Sequence, residues 1–382
     1  MTCYDVLVAG GGPAGAAAAL TLARAGRSVL LAHSGRGPAP VGEALPAAAR
    51  VLLGDLGADD ALTDGHLPCL ANRSAWGGPR LASTDSVFDP HGHGWHLDRV
   101  RFDRQLRAHA RTQGARLATG VTAQPNGRTA DGSWVVELRG AGERRTVRCR
   151  WLIDATGRRA ALATACGARR RTGDRLVALH LTLGPADPAD PDTTTTVEAA
   201  PDGWWYTAPL PTGRRLLVWY TDADLPAADP GRPAFAARLA ATRHILELAA
   251  RHPWPAGAAP RRAPAHTARL ADPTGDGWIA AGDAAAAFDP LSSQGILTAL
   301  YTGLAAGRAV HARLVGQADA LDAYRADLAA IGATYLRNHR THYAAEQRWP
   351  DHPFWRRRHP PPGGGGHPTL VAIPGPSPHM PG

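Results

Sequence analysis

Gly10-Gly11-Gly12-Pro13-Ala14-Gly15 carries the densest chemical signal in this 382-residue chain. Its G-x-G-x-x-G spacing falls between a short apolar run, Asp5–Ala9, and an alanine- and leucine-rich stretch, Ala14–Ala25, that favours helix. In that setting each glycine has a purpose. Gly10 permits a tight turn, Gly12 lets the backbone approach a pyrophosphate, and Gly15 lets helix and sheet pack closely. Pro13 and Ala14 open a helix whose N-terminal N–H groups and partial positive charge suit phosphate. A dinucleotide site is the resulting expectation; an ordinary glycine-rich turn is the alternative. Such sites normally place an acidic residue at the end of the second strand to hold a ribose hydroxyl. Here that place falls to His33, and no Asp or Glu occurs until Glu43. His33 either hydrogen-bonds the ribose through a ring nitrogen or is a solvent-facing strand end.

Elements on both sides must hold this turn. Ser28–Ala32 reads as the next strand, with Gly26 as a helix C-cap before it. Residues 35–47 read as loop, Ala47–Leu56 as helix, and Gly65–Leu97 as turns and short strands. Arg101–Gln113 reads as helix, followed by strands near Arg116–Thr122, Ser133–Leu138 and Thr146–Asp154. Alternating or aromatic-rich strands such as Leu176–Leu183 and Leu216–Thr221 predict a separate sheet within Asp174–Asp222. Helix is expected over Pro233–Arg251, strand near Trp278–Ala281, and helices over Gln294–Val315 and Ala318–Glu346. The Gly/Pro-rich stretch His359–Gly382 reads as a disordered tail.

Composition narrows the function classes. Hydrophobic residues at 44% and charged residues at 20% are ordinary for a globular protein. All 42 basic residues are arginine, spread along the chain, and lysine is absent. The net charge of +9 therefore reads as a solubility and anion-attraction effect, with no nucleic-acid module. Cys3, Cys69, Cys149 and Cys166 lack C-x-x-C spacing, so neither a metal site nor a disulfide framework is expected, and a reducing cytoplasm is the expected compartment. No apolar run approaches the roughly 20 residues of a membrane span, and the start of the chain shows no export signal.

Two later segments extend the dinucleotide reading. Trp151-Leu152-Ile153-Asp154-Ala155-Thr156-Gly157 resembles the strand-ending ATG motif of two-domain flavoproteins. Trp278-Ile279-Ala280-Ala281-Gly282-Asp283-Ala284-Ala285 resembles their GD motif. With the opening glycines they resemble, in order, the class A flavin monooxygenase and flavin halogenase superfamily. That resemblance implies FAD rather than NAD, with Asp283 on its ribityl or ribose hydroxyls. It adds Arg99, in Leu97-Asp98-Arg99-Val100-Arg101-Phe102-Asp103, as an FAD contact, together with Asp154, Gly157 and Gly282. Gly42-Glu43-Ala44-Leu45-Pro46 is similar to the halogenase-like GE-x-x-P segment, and Asp289-Pro290-Leu291-Ser292-Ser293-Gln294-Gly295-Ile296 to the DPL-x-S-x-G segment beside the isoalloxazine. Glu43, Pro290, Gln294, Gly295 and Ile296 thereby join the cofactor set. A proline turn capping a helix through Ser292 or Ser293 is the plainer reading of the second segment, and both can hold together.

The implied fold is α/β. A Rossmann-like FAD-binding domain of the two-domain, class A monooxygenase type is interleaved with a mixed-sheet substrate domain and a C-terminal helical segment. The FAD-binding parts are expected at about 1–50, 97–170 and 262–315, the substrate parts at about 51–96 and 171–261, and C-terminal helices at 316–358, with 359–382 as tail.

Halogenases of this superfamily depend on an active-site lysine, which this chain lacks. Their W-x-W-x-I-P motif is also altered, in Trp204-Trp205-Tyr206-Thr207-Ala208-Pro209. Ser74-Ala75-Trp76-Gly77, Gly92-His93-Gly94-Trp95-His96-Leu97-Asp98-Arg99 and Phe354-Trp355-Arg356-Arg357 are instead similar to LodB/QhpG-type flavoproteins, a resemblance running from about Asp5 to Arg358. It implies oxygen insertion into an electron-rich, indole- or tryptophan-like ring through a flavin C4a-hydroperoxide, on a small molecule or on a peptide or protein. O₂ is the co-substrate. With no second G-x-G-x-x-G, NAD(P)H visits transiently or a separate flavin reductase supplies electrons. His93, His96 and Tyr206 are the candidate acid–base residues, with Trp76, His91 and Trp204 lining the pocket. A polar turn for the histidines and packed core for the aromatic residues are the alternatives. A halogenase, a non-catalytic FAD-binding maturation partner and a saturating or desaturating flavoenzyme of the geranylgeranyl reductase type are the competing functions.

Overall fold

The computed structural model describes residues 2–35, 43–140 and 142–359. Gly42 of the GE-x-x-P segment and all but the first residue of the expected tail lie outside the described residues.

The first strand, β1 (Cys3–Ala9), leads through the glycine turn into helix α1 (Pro13–Arg24) and strand β2 (Val29–His33). Helix α2 (Arg99–Thr112), strand β3 (Arg144–Asp154), strand β4 (Trp278–Ala280) and helices α3 (Gly295–Leu314) and α4 (Ala320–Ala345) complete the frame around that turn. β4, β3, β1 and β2 lie side by side, all parallel, within an eight-stranded sheet. Their near-continuous apolar character follows from burial on both faces. Val6, Val8, Val29, Leu31, Ile153 and Ile279 pack beneath α1 and α3, while Leu7, Leu30 and Leu152 face the opposite core with Trp134 and Leu162. Each such buried aliphatic side chain contributes roughly 1.5–3 kcal/mol.

α1 and α3 pack unusually close because α3 presents glycines to α1. A Cβ on Gly303 would lie 2.2 Å from the Ala14 carbonyl oxygen, and one on Gly307 would lie 2.9 Å from Thr21 Cβ. The start of α1 is thereby clamped between α3 and the sheet.

A second sheet of seven strands runs in the order Arg261–Pro264, Leu176–Leu183, Arg215–Asp222, Gly203–Pro209, Thr195–Ala200, Ala71–Ala75, Ala82–Asp85. Strand alternation splits its aromatic residues between two cores. Trp204, Tyr206 and Tyr220 face Tyr343, Phe354 and Trp355 from the C-terminal segment. Trp205 and Trp219 face Phe235, Leu239 and Ile245 on the other side.

Three expectations differ from the structure in detail. The helix expected over Pro233–Arg251 is two, Arg232–Ala240 and His244–Ala249. The Glu198 carboxylate accepts the backbone N–H groups of Arg243, His244 and Ile245, each at 2.9 Å, and so starts a new helix there. The strand expected over Arg116–Thr122 stops at Thr119, where Gly120 turns through a positive φ, and a separate strand follows over Thr122–Arg128. Arg261–Pro264 pairs with Leu176–Leu183, so the second sheet reaches past residue 261. Among the described residues no helix is long and apolar enough to cross a membrane.

Candidate active site

Three loops leave one edge of the first sheet because its strands are in register. Ala9 pairs with Ala32 and with Asp154, and Asp154 pairs with Ala280. The glycine turn, the Ala155-Thr156-Gly157 turn and the Gly282-Asp283 turn therefore emerge together, at the carboxyl ends of parallel strands where such sheets bind ligands. A Cβ on Gly282 would come within 2.8 Å of Ala14 Cβ, so the first and last of these loops touch.

The three motif glycines have different reasons to be glycine. Gly10 has φ +110°, and a Cβ there would lie 2.0 Å from the Ala155 carbonyl oxygen. A Cβ on Gly15 would overlap the Gly10 carbonyl oxygen at 1.8 Å. Gly12 is extended, and nothing lies within 4 Å of a Cβ built on it. Two glycines serve the chain's own packing and the middle one keeps space open. α1 begins at Pro13 with neither a side-chain cap nor an acidic residue in its first turn. Its leading N–H groups, including that of Ala14, have no partner within the helix and suit a pyrophosphate.

His33 ends β2 beside this turn: a Cβ on Gly11 would lie 2.7 Å from His33 Cγ. Arg107 of α2 donates to the Gly11 carbonyl oxygen at 2.6 Å. Burial, then the Arg107 charge, holds the His33 pKa below the usual histidine value, leaving a neutral ring that hydrogen-bonds without adding negative charge.

Asp154 turns inward. Its carboxylate accepts from the Thr156 N–H at 2.9 Å, the Thr156 hydroxyl at 2.6 Å and the Ala163 N–H at 2.7 Å. It shapes the loop that ends at Gly157 (φ +69°) instead of presenting itself to a cofactor. Asp283 is placed differently. Its side chain is 40% open although protein surrounds it, and Arg158 Nε lies 3.5 Å from its carboxylate. Arg170 braces the loop from behind, donating to the carbonyl oxygens of Asp283 and Ala284 at 2.9 and 3.0 Å. Burial raises the Asp283 carboxyl pKa, opposed by the charges of Arg158, Arg170 and Arg99. Arg99, at the start of α2, also bonds Asp103 at 3.2 Å. Sequence reasoning missed Arg158 and Arg170; the place of Arg158 directly after the Ala-Thr-Gly turn was the available signal.

The halogenase-like segments reach the inner face of the second sheet. The Tyr206 hydroxyl donates to the buried Glu43 carboxylate. Burial and that carboxylate push the Tyr206 pKa far up. Tyr220 is raised by burial, then by Glu43 and Asp289. Trp204 stacks on Tyr220 with ring centroids 4.0 Å apart, and Trp76 meets Trp204 edge-on. Asp289 accepts the Leu291 N–H at 2.9 Å and so caps the short helix Pro290–Ser292. The chain then turns through Ser293 (φ +50°) and Gln294 into α3, where Ile296 is buried and a Cβ on Gly295 would again find nothing within 4 Å.

The histidines do not converge with Tyr206. His91 sits exposed on a turn held by Asp89. On strand Gly94–His96, neighbouring side chains point to opposite faces. His93 lines a surface cavity of about 370 Å³ with Arg50, His66 and Trp95, whereas His96 is fully buried with Nε2 3.2 Å from the Thr193 carbonyl oxygen. Burial pushes the His96 pKa down to about 4. Among the described residues no group of three or more His, Cys, Asp or Glu side chains is arranged to hold a metal ion.

These residues fit an FAD. Open glycine backbone and uncapped N–H groups suit the pyrophosphate, Asp283 and Arg99 suit hydroxyl and phosphate oxygens, and the open start of α3 suits an electron-rich ring. Comparison with known proteins agrees. A family model described as an FAD binding domain matches residues 3–339. The chain is 30% identical over 377 residues to LodB of Marinomonas mediterranea, named an FAD-dependent oxidoreductase, covering 94% of this chain and 97% of LodB. It is 30% identical over 332 residues to menaquinone reductase of Mycobacterium tuberculosis, covering 81% and 77%. The myxobacterial chondrochloren halogenase CndH superposes with a TM-score of 0.85 at 21% identity, over 95% of this chain and 87% of that one. The peptidyl tryptophan dihydroxylase QhpG does so with 0.75 at 27% identity, over 93% and 78%. The chain belongs to the FAD-binding-domain family and is an FAD-dependent oxidoreductase.

Proposed function

We propose that this oxidoreductase inserts oxygen from O₂ into an electron-rich, indole-like ring, borne on a peptide or protein. The first sheet would hold the FAD and the second would present the substrate. The observation that carries the reading is the buried aromatic wall Trp204–Tyr206–Tyr220 standing near the Asp289–Gly295 turn, in a chain similar to a peptidyl tryptophan dihydroxylase. Such a cluster walls off the neighbouring turn from water with aromatic surface. Bound FAD supplies the redox chemistry, drawing electrons from NAD(P)H directly or from a partner flavin reductase. The chain's own part is orientation: α1 and Asp283 fix the cofactor, and Glu43 fixes Tyr206 in the wall. Absence of lysine argues against halogenation.

The test is mass spectrometry of tryptophan-containing peptides incubated with the protein, FAD, a flavin reductase and NADH under ¹⁸O₂, with bromide present. Incorporated ¹⁸O supports hydroxylation. A brominated product overturns it in favour of halogenation. A change in hydrogen count alone overturns it in favour of a saturating or desaturating activity, the reading to which the menaquinone reductase likeness points.

A further inference from the structure

Two charges of opposite sign, Arg50 and Asp59, line one surface cavity without pairing to each other. The cavity is the one that His93 enters, and its volume of about 370 Å³ falls at the lower end of the roughly 300–1,000 Å³ usual for small-molecule sites. Helix Ala49–Leu56 contributes Arg50 from its first turn. Gly57, at φ +66°, ends that helix and reverses the chain, so the short helix Asp59–Leu62 brings Asp59 and Leu62 to the same cavity. Strands Leu67–Cys69 and Gly94–His96 complete the wall, and their antiparallel pairing sets Pro68 opposite Trp95. The Arg50 guanidinium rests over the Trp95 ring, 4.7 Å from its centroid, and the His93 ring meets Trp95 edge-on at 5.2 Å. His66 ties the wall together: its Nε2 donates to the Ala61 carbonyl oxygen at 3.1 Å, and its Nδ1 accepts the Asp98 N–H at 3.0 Å. The cavity is thus held open by bonds that need no ligand.

The polar groups of the cavity fall into two sets. Trp95 is 5% exposed, and its indole N–H has no acceptor among the described residues yet is not closed off from solvent. Arg50 beside it has no carboxylate partner among the described residues, so guanidinium and indole N–H together offer donors to one anionic group. Asp59 is likewise without a cationic partner among the described residues. His93 Nδ1 donates to the Gly94 carbonyl oxygen at 2.8 Å, which leaves Nε2 for a ligand. Leu62 and Pro68 add apolar surface.

We propose that this cavity binds a free α-amino acid as its zwitterion. The carboxylate lies on Arg50 and the Trp95 N–H, the ammonium on Asp59, and an apolar side chain against Leu62 and Pro68. A ligand carrying a single sign of charge leaves the opposite group of the wall unpaired, which is what selects the zwitterion. None of these residues belongs to the dinucleotide loops, so occupancy of the cavity and retention of FAD are separate readouts.

The experiment is equilibrium dialysis of the purified full chain against labelled leucine, isocaproate, which lacks the ammonium, and isopentylamine, which lacks the carboxylate. Leucine should bind saturably at one site per chain, and each analogue at least about tenfold more weakly, the size of one charged hydrogen-bonded contact. Arg50→Met and Asp59→Asn change exposed side chains, and each, checked for folding by circular dichroism, should weaken leucine by about tenfold while leaving FAD content unchanged. In Arg50→Met, leucine and isopentylamine should bind alike; in Asp59→Asn, leucine and isocaproate should, because the group missing from the ligand no longer has a partner to lose. No saturable leucine binding up to about 10 mM overturns the proposal. So does an analogue that matches leucine on the wild-type chain, which makes this a simple anion or amine site, and so does leucine binding that either folded variant leaves unchanged, which puts the amino acid elsewhere. The analogue comparison needs only the wild-type chain and decides the matter even where a variant fails to fold.

Discussion

Gly12→Asp should stabilise the apoprotein while sharply weakening FAD binding, because the two effects arise from different partners of one position. The backbone at Gly12 is extended at φ −80° and a Cβ there meets nothing within 4 Å, so the side chain enters without strain. Gly12 is the N-cap of α1, which has no side-chain cap of its own. An aspartate supplies the cap, complements the helix dipole and reduces unfolded-state freedom, together worth about 1 kcal/mol. A chain of this size should then melt ~1 °C higher. The same carboxylate occupies the space expected for the pyrophosphate. Two like charges about 5 Å apart at an effective dielectric constant of ~20 repel by about 3 kcal/mol, a loss of roughly 10²-fold in affinity. Gly12→Asn isolates the charge, since it caps but does not repel. Gly15→Ala is the opposite control: its Cβ would overlap the Gly10 carbonyl oxygen at 1.8 Å, so it should lose fold and flavin together. The assays are thermal melting of the apoproteins and titration with FAD followed by flavin fluorescence. A yellow Gly12→Asp protein with affinity within threefold of wild type would refute the placement of the phosphates.

Burial that raises the Asp283 carboxyl makes the charged form costly, so the apoprotein should lose stability as pH rises from the ordinary carboxylate range through that raised pKa. Asp283→Asn should therefore melt higher than wild type at pH 7, with the gap closing on acidification, and should bind FAD at least about tenfold more weakly through loss of a charged hydrogen bond; equal melting curves at every pH would contradict this. His96, with its pKa pushed down to about 4, stays neutral when folded, so the unfolded chain takes up the proton first as pH falls below 6.5. Between pH 6.5 and 4 wild type should lose about 3 kcal/mol from this residue and His96→Gln should not, measured by urea unfolding; parallel losses would refute it. Arg215, fully buried between Asp190 and Asp192 at 2.9 and 2.7 Å, should cost about 3–5 kcal/mol when changed to Met, with most of it recovered by Asp190→Asn plus Asp192→Asn.

What could be read from the sequence divides along the range of the interactions involved. β1, β2 and β3 were legible because strands buried on both faces are continuous apolar runs, and Leu176–Leu183 was legible to the residue. The break at Thr242–Arg243 was not, since the cap that starts the second helix comes from Glu198, 46 residues earlier on a strand of the second sheet. The histidine-rich segment misled for a related reason. His93 and His96 are close in sequence, which suggests one site, yet His93, just before strand Gly94–His96, lines a surface cavity with Trp95, while the next strand residue, His96, points into the core.

Asp154 and Asp283 show how far a motif carries and where it stops. Both end loops that the resemblance assigns to the cofactor, and both lie at the same edge of the sheet. One spends its carboxylate on three donors from its own loop and the short helix after it, while the other keeps its carboxylate open beside an arginine. A motif names the loop; hydrogen-bond accounting decides whether the side chain in it faces a ligand or the protein. The stripe Tyr335–His339–Tyr343 makes the same point from the other direction. Its helical spacing is plain in the sequence, but its meaning appears only once the fold brings Asp289, more than forty residues earlier, against that face. Residues that hold a loop through another side chain are therefore the ones a motif cannot name, and in this chain they lie on α4, which packs behind the turn opened by Asp289.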